Sequence, residues 1–176
     1  MLLTTAASNG EVILWKIPLS MEAPFKPEKM ASPIQSDLVS VSFLQYQLDY
    51  DKDGTQILYL AAAKGMSAIV QQMKVDPTLQ DVVTTWQRKL GEHSSTVTGI
   101  NIVRQHGKLC VLTTSCDGSL IRWPLESDNE QTNYILDKFS ERPIWGCATS
   151  PNKTHIAILR EFVFGEIVLR SQQTNH

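Results

Sequence analysis

Residues 112–123 read Leu-Thr-Thr-Ser-Cys-Asp-Gly-Ser-Leu-Ile-Arg-Trp, and residues 91–100 before them read Gly-Glu-His-Ser-Ser-Thr-Val-Thr-Gly-Ile. In the later stretch two apolar segments flank the dipeptide Asp117-Gly118, which is a strong signal for a tight turn between two strands. In the earlier stretch His93 stands just ahead of another apolar segment. The pattern predicts consecutive β-strands, with a histidine before the first and a tryptophan ending the last.

The same pattern occurs a second time near the start of the chain. Residues 4–15 align without a gap on residues 112–123. The alignment superposes residues of matching or related type: Thr5 on Thr113, Asn9 on Asp117, Gly10 on Gly118 and Trp15 on Trp123. Two such segments at equal internal spacing indicate an internal repeat.

Short strands separated by turns are predicted for the rest of the chain, with no long helix. Strands are expected at 3–8, 11–17, 38–47, 56–63, 67–75, 82–90, 97–103, 108–115, 119–123, 133–138, 143–149, 155–160 and 164–171. The net charge of −2 argues against a broad basic surface for nucleic acid. We also expect no signal peptide and no membrane-spanning segment, since no apolar run approaches about 20 residues.

The chain resembles the WD40-repeat family, best in residues 82–126 and also in 3–17. The resemblance implies an all-β, WD40-like β-propeller of about three and a half four-stranded blades, spanning 1–176 as a partial domain. The expected blade units are 1–17, 34–76, 82–126 and 132–172, with a loop over 18–37. Because propellers close with about four to eight blades, we expect an incomplete ring that is a fragment or is completed by another segment or partner.

The resemblance also implies a buried polar network, which in this family joins a His, a Ser or Thr, an Asp and a Trp. The matching positions are His93, Thr113, Asp117 and Trp123. The dipeptide signatures of the family are absent, because Glu92 precedes the histidine and Pro124 follows the tryptophan. The His, Asp and Thr could be mistaken for a catalytic triad, but no oxyanion-hole loop is recognisable. We therefore assign the four residues a structural role and no catalytic one.

A narrower resemblance concerns residues 144–152, Ile-Trp-Gly-Cys-Ala-Thr-Ser-Pro-Asn, with the apolar segment 156–161 after them. They are similar to a blade in the N-terminal propeller of the delta-type subunit of transcription factor IIIC, although Lys153 stands where that family has Gly. This resemblance implies the RNA polymerase III initiation machinery and a nuclear location; otherwise we expect a cytoplasmic one.

The predicted function is a non-catalytic scaffold that binds other protein subunits of a complex, without a small-molecule substrate or direct nucleic-acid contact. An alternative is a chromatin or ubiquitin-ligase adaptor propeller that binds a peptide motif. The delta-type family has also been linked to histone acetyltransferase activity, yet no acetyl-CoA loop is recognisable, so an enzyme is not expected.

Three aromatic side chains are candidate partner contacts. Phe25 lies in the proline-rich segment 18–37, Trp86 on a predicted outer strand and Trp145 on a predicted inner strand. Aromatic residues are enriched at interaction hot spots. The alternatives are a flexible inter-blade excursion for the Phe25 segment and packing against a neighbouring blade for Trp86.

No cofactor or metal is predicted. The four histidines are scattered, and no glycine-rich phosphate loop is present. Three carboxylates, Asp49, Asp51 and Asp53, crowd one turn. A Ca²⁺ site there would need a further bidentate acid, so we predict a solvated hairpin turn. The three cysteines show no Cys-x-x-Cys spacing, which predicts reduced thiols.

Overall fold

A computed structural model of the chain describes residues 2–7, 11–17, 27–31, 43–76, 82–105, 107–125, 134–138, 142–150, 155–160 and 167–171. All the regular secondary structure within these ranges consists of β-strands, which confirms the all-β prediction for this part of the chain. The strands are, in chain order, β1 (Leu2–Ala6), β2 (Val12–Lys16), β3 (Glu28–Ala31), β4 (Phe43–Tyr50), β5 (Gln56–Lys64), β6 (Ser67–Val75), β7 (Val82–Glu92), β8 (Val97–Gln105), β9 (Lys108–Ser115), β10 (Ser119–Pro124), β11 (Tyr134–Lys138), β12 (Ile144–Thr149), β13 (His155–Arg160) and β14 (Ile167–Ser171).

The strands form four sheets in chain order. Sheet 1 has the order β1-β2-β3, sheet 2 β4-β5-β6-β7, sheet 3 β11-β10-β9-β8 and sheet 4 β12-β13-β14. Neighbouring strands in sheets 1, 3 and 4 pair antiparallel. Within each sheet, strands that are consecutive in the chain are neighbours, as short connections favour.

The sheets do not coincide with the sequence units. Strand β7 belongs by sequence to the unit 82–126 but joins sheet 2, and β11 belongs to the unit 132–172 but joins sheet 3. Strand β3 lies inside the segment 18–37, for which a loop was expected, and pairs with β2. Alternation of apolar residues indicates a strand, but it does not indicate the sheet edge that the strand joins. The sheets and the sequence units differ in that edge.

Two compact units can be distinguished: residues 1–62 with 69–89, and residues 63–68 with 90–176. The core of the first unit joins β2 of sheet 1 to β5 and β6 of sheet 2. Its buried members are Val12, Leu14, Leu58, Leu60, Ala62, Met73 and Val75. They recur at every second residue along each strand, because alternate side chains of a strand point to the same sheet face.

The core of the second unit lies between sheets 3 and 4. Its buried members are Val103, Cys110, Leu112, Leu120, Ile144, Ile156 and Ile158. Polar bonds cross the same contact: the Thr98 hydroxyl donates to the Ile144 carbonyl, and Asn101 Nδ2 donates to the Cys147 carbonyl at 2.8 Å. Apolar burial and satisfied polar groups thus hold β12 against β8 and β9.

A β-bulge occurs at the start of the first strand of sheet 3 and again at the start of the first strand of sheet 4. In sheet 3 the pairing shifts between Val97 and Gly99, and in sheet 4 it shifts between Ile144 and Gly146. In each case one residue is skipped and a glycine resumes the pairing. Gly99 and Gly146 therefore occupy corresponding places in their sheets.

Backbone of sheet 4 passes close over Gly99. A Cβ atom on Gly99 would lie 2.7 Å from Thr114 Oγ1, 3.1 Å from the Cys147 nitrogen and 3.3 Å from Gly146 Cα. A Cβ on Gly146 would meet only the Thr98 carbonyl oxygen, at 3.8 Å. A glycine is thus required at Gly99, which sheet 4 covers, and is dispensable at Gly146, which the described residues leave uncovered.

We predict that Gly99→Ala lowers the free energy of unfolding by about 1–3 kcal/mol, because the new methyl group overpacks the contact between sheets 3 and 4. Urea denaturation measures the change, and Gly146→Ala is the matched control, expected to cost much less. Equal stability of the two variants would contradict the close approach at Gly99.

Candidate functional site

The four residues of the predicted polar network meet inside sheet 3. His93 stands ahead of β8, Thr113 lies on β9, Asp117 in the turn between β9 and β10, and Trp123 near the end of β10. The side chains of His93, Thr113 and Trp123 are buried, and that of Asp117 is half-buried. Antiparallel pairing of β9 with β10 sets Thr113 and Trp123 on strands that adjoin each other.

The hydrogen bonds of this network allow only one assignment of donors and acceptors. The indole N–H of Trp123 donates to Thr113 Oγ1 at 2.7 Å, and that oxygen lies 2.7 Å from His93 Nε2. The Ser119 hydroxyl donates to a carboxylate oxygen of Asp117, which leaves the Ser119 oxygen to accept from His93 Nδ1 at 2.9 Å. The network therefore assigns the imidazole proton to Nδ1, and Nε2 accepts the Thr113 hydroxyl proton.

Asp117 is the acceptor at the end of this chain. Its Oδ2 accepts the Ser94 amide at 2.8 Å and lies 3.3 Å from His93 Nδ1. Its Oδ1 accepts the Ser119 amide at 2.8 Å. The carboxylate thereby fixes its own turn and ties the segment ahead of β8 to that turn.

The surroundings of His93 and Asp117 set the charge states of these two side chains. Burial lowers the pKa of His93, and the nearby Asp117 carboxylate acts in the opposite direction without offsetting it. For Asp117, burial raises the pKa, but the hydrogen bonds from Ser119 and Ser94 outweigh burial and lower the pKa to about 2. The contact is thus a hydrogen bond between a neutral imidazole and a carboxylate.

This geometry holds strands together and leaves little for chemistry at the surface. Thr113 is 0% exposed, so a substrate in solvent cannot contact its hydroxyl. The lone pair of His93 Nε2 is engaged by that same hydroxyl. A buried network in which each group satisfies the next gives rigidity, as is expected when every polar group has its partner.

Two members of the network were missed by the sequence reasoning. Ser119 follows Asp117 by two residues, and its amide bond to the carboxylate forms an Asx turn, which the Asp-Gly-Ser string could have indicated. Ser94 binds the same carboxylate through its amide and at 3.2 Å through its hydroxyl. Its role depends on the path of the chain between sheets, which no local pattern reveals.

Sheet 1 contains a shorter version of the same arrangement. Trp15 Nε1 donates to Thr5 Oγ1 at 2.8 Å, as Trp123 Nε1 donates to Thr113 Oγ1. These are the residues that the sequence alignment superposes. The alignment of 4–15 on 112–123 therefore holds for the hydrogen bond as well as for the strands.

The three candidate partner contacts differ in their surroundings. Phe25 lies outside the described residues. Trp86 lies half-buried on β7, the edge strand of sheet 2, and makes an edge-to-face contact with Tyr59 at 6.4 Å between ring centroids. Trp145 is the residue skipped by the bulge of β12 and is 48% exposed. Of the two candidate tryptophans, Trp145 is the one that presents a large apolar surface to solvent.

Trp145 lies on the strand that borders an open apolar groove on sheet 4. The groove measures about 300 Å³ and is lined by Gly146, Cys147, Ala148, Ala157, Ile158 and Leu159. Leu159 is 40% exposed. The strand pairing around the groove corresponds to the pairing in sheet 3. In sheet 4, Gly146 pairs with Leu159 and Ala148 with Ala157. At the corresponding places in sheet 3, Gly99 pairs with Thr114 and Asn101 with Leu112. The groove therefore repeats the surface of sheet 3 that β12 covers.

The acidic turn binds its own backbone. Asp51 Oδ1 accepts the Lys52 amide at 2.7 Å and Asp53 Oδ1 accepts the Thr55 amide at 2.9 Å. The bond from Thr55 is the main reason why the pKa of Asp53 is lowered. In the parts of the chain that the structure describes, no three His, Cys, Asp or Glu side chains gather as metal ligands would.

The described ranges include no helix with the length and apolar character that crossing a bilayer requires. Comparison with models of protein families and with curated proteins gives no match.

We predict that Trp123→Ala lowers the free energy of unfolding by about 3–5 kcal/mol, because it empties a buried site and leaves Thr113 without its donor. Trp15→Ala, at a half-buried position with the corresponding hydrogen bond, serves as the comparison and should cost less. Thermal unfolding followed by circular dichroism measures both variants. Unchanged melting of Trp123→Ala would contradict the assignment of this network.

Acid should weaken the network through Asp117. A carboxyl group whose pKa is lower in the folded than in the unfolded chain adds stability that is complete above its ordinary pKa. That stability should disappear as the pH falls from 3.8 towards about 2. Exchange of the Trp123 indole N–H, followed by NMR, should accelerate over this interval.

In the Asp117→Asn variant, the Trp123 indole N–H should exchange faster at neutral pH than in the wild type. Its exchange rate should also depend less on pH over the same interval. Asp51→Asn, in an exposed turn, is the control and should keep the wild-type profile. A wild-type pH profile in Asp117→Asn would show that another group is responsible.

Proposed function

We propose that the four sheets are WD40-like blades of a propeller and that the chain is a non-catalytic scaffold within a multi-subunit complex. The observation that carries the proposal is the groove on sheet 4, where Trp145 and Leu159 are 48% and 40% exposed beside a cavity of about 300 Å³. Exposed aromatic and aliphatic side chains on a rigid sheet are the usual anchors of a protein interface.

The occupant of this groove is an apolar strand of another subunit. This assignment is supported by the contact between sheets 3 and 4, where β12 lies over Gly99 and Asn101 of the corresponding surface. Gly146 leaves the same close approach open on sheet 4, and the small side chains of Ala148 and Ala157 flank it. A partner strand would bury these residues as β12 buries their counterparts.

The polar groups of the His93 network are a second observation in favour of a scaffold function. The His93 network is internally satisfied, and its Thr113 hydroxyl is 0% exposed. Groups that are engaged in holding strands together are not free to bind or transform a substrate. We place the host complex in RNA polymerase III initiation, and hence in the nucleus, on the strength of the resemblance of residues 144–161 alone.

Affinity purification of the tagged chain from its host, with mass spectrometry, tests this function. A partner is assigned to the groove if Trp145→Ser reduces its recovery at least about tenfold, the effect of losing one hot-spot side chain. Val83→Ser, at an apolar residue that is 57% exposed on β7, is the control and should retain the partner.

Equal loss in both variants, or no loss in Trp145→Ser, would overturn the groove as an interface. Recovery of transcription factor IIIC subunits would support the narrower assignment, and recovery of an unrelated assembly would exclude it.

A further inference from the structure

Residues 92–97, from the end of β7 to the start of β8, bind the turn between β5 and β6. The His93 amide donates to the Met66 carbonyl at 3.0 Å, and the Val97 amide donates to the Gly65 carbonyl at 2.6 Å. This turn belongs, with residues 92–97, to the second compact unit. Both amides therefore come from the segment that the His93 side chain anchors.

The same segment also binds the turn between β9 and β10. The Cys116 amide donates to the Thr96 carbonyl at 2.9 Å, and the Ser115 hydroxyl donates to the Ser95 carbonyl at 3.1 Å. The Ser94 amide and hydroxyl bind the carboxylate in this turn. The segment thus lies between two turns and is hydrogen-bonded to both.

The hydrogen bonds around the His93 side chain fit a neutral imidazole. Its Nε2 accepts the Thr113 hydroxyl proton, and the oxygen of that hydroxyl already accepts the indole N–H of Trp123. A second imidazole proton would lie on Nε2 and point at Thr113 Oγ1. The hydroxyl proton would then lose its acceptor, at a residue that is 0% exposed. Protonation therefore removes a hydrogen bond that water at this position cannot replace.

The charged surroundings of His93 do not offset this effect. Burial lowers the pKa of His93 from its ordinary value of 6.5, and the Asp117 carboxylate, 3.3 Å from Nδ1, raises it by less. The remaining ionisable side chains in β10 and in residues 64–67, 92–97 and 113–119 are those of Lys64, Glu92, Cys116 and Arg122.

We propose that residues 92–97 form a latch on the turn between β5 and β6, and that protonation of His93 releases this latch. The neutral imidazole holds the segment to the turn between β9 and β10, which places the His93 and Val97 amides opposite the carbonyls of Met66 and Gly65. A proton on Nε2 removes that anchor. The two amides then leave the turn while the strands of sheet 3 stay paired.

Proton binding determines the direction of the response. The pKa of His93 is lower in the closed latch than in the open one, so the closed form keeps its full stability above the ordinary pKa of 6.5. Below that pH the open form binds the proton more tightly, and its population rises by up to about tenfold per pH unit. The latch therefore opens as the pH falls below 6.5. The groove on sheet 4 takes no part in this response, so the two proposals can fail independently.

Amide exchange in the full chain, followed by NMR, measures the latch. Protection of the His93 and Val97 amides, corrected for the intrinsic effect of pH on exchange, should fall about tenfold from pH 7.5 to pH 5.5. The Leu125 amide, which donates to the Leu109 carbonyl at the other end of β9, should keep its protection. Equal loss at Leu125 would overturn the latch, because sheet 3 as a whole would then open. Constant protection at His93 and Val97 would also overturn it.

Two variants identify the group that titrates. His93→Gln keeps a donor and an acceptor but takes up no proton in this interval, so protection at Val97 should no longer depend on pH. Glu92→Gln keeps an acceptor for the Ser67 hydroxyl and should retain the wild-type profile. Loss of the profile in Glu92→Gln would assign the response to that carboxylate and overturn the role of His93.

The imidazole of the wild-type chain tests the proposal even if His93→Gln does not fold. Its nitrogen resonances should show the neutral form with the proton on Nδ1 at pH 7.5, and His93 should titrate with a pKa below 6.5. Titration at or above 6.5, or a proton on Nε2 at pH 7.5, would overturn the latch.

Discussion

Burial of His93 is the constraint on which sheet 3 depends. A buried imidazole needs partners for both nitrogens, and here Thr113 and Ser119 supply them. Through Asp117 the same network reaches the Ser94 amide, so the segment ahead of β8 is held to the turn between β9 and β10. The start of β8 is thereby positioned, and with it the bulge at Gly99.

That bulge determines how the next sheet packs. Because Gly99 has no side chain, the backbone of β12 can lie over it, and Asn101 binds the Cys147 carbonyl beside it. The same bulge at Gly146 gives sheet 4 a similar surface. One motif therefore produces a buried contact in sheet 3 and an open groove in sheet 4. The difference lies in what covers each surface.

Much of the strand pattern was predictable because short apolar segments bounded by turn residues indicate strands, including strands such as β9 that are buried on both faces. The strand predicted at 155–160 matches β13, and the strands predicted at 3–8 and 11–17 overlap β1 and β2, which pair antiparallel. The edge that each strand joins was not predictable, since β7 and β11 pair with the preceding sheets. Strand β3 was missed because its four residues show no clear alternation.

The sequence by itself determined the all-β class, the internal repeat and four residues of the network, because turns and alternation are local and the resemblance supplied those four positions. Only the tertiary structure decided the order of donors around His93, the part of Ser94 and the exposure of Trp145. Each of these depends on residues far apart in the chain that meet when strands pair and sheets pack. Coverage of a surface is likewise a property of packing, and so the groove on sheet 4 is visible only in the folded chain.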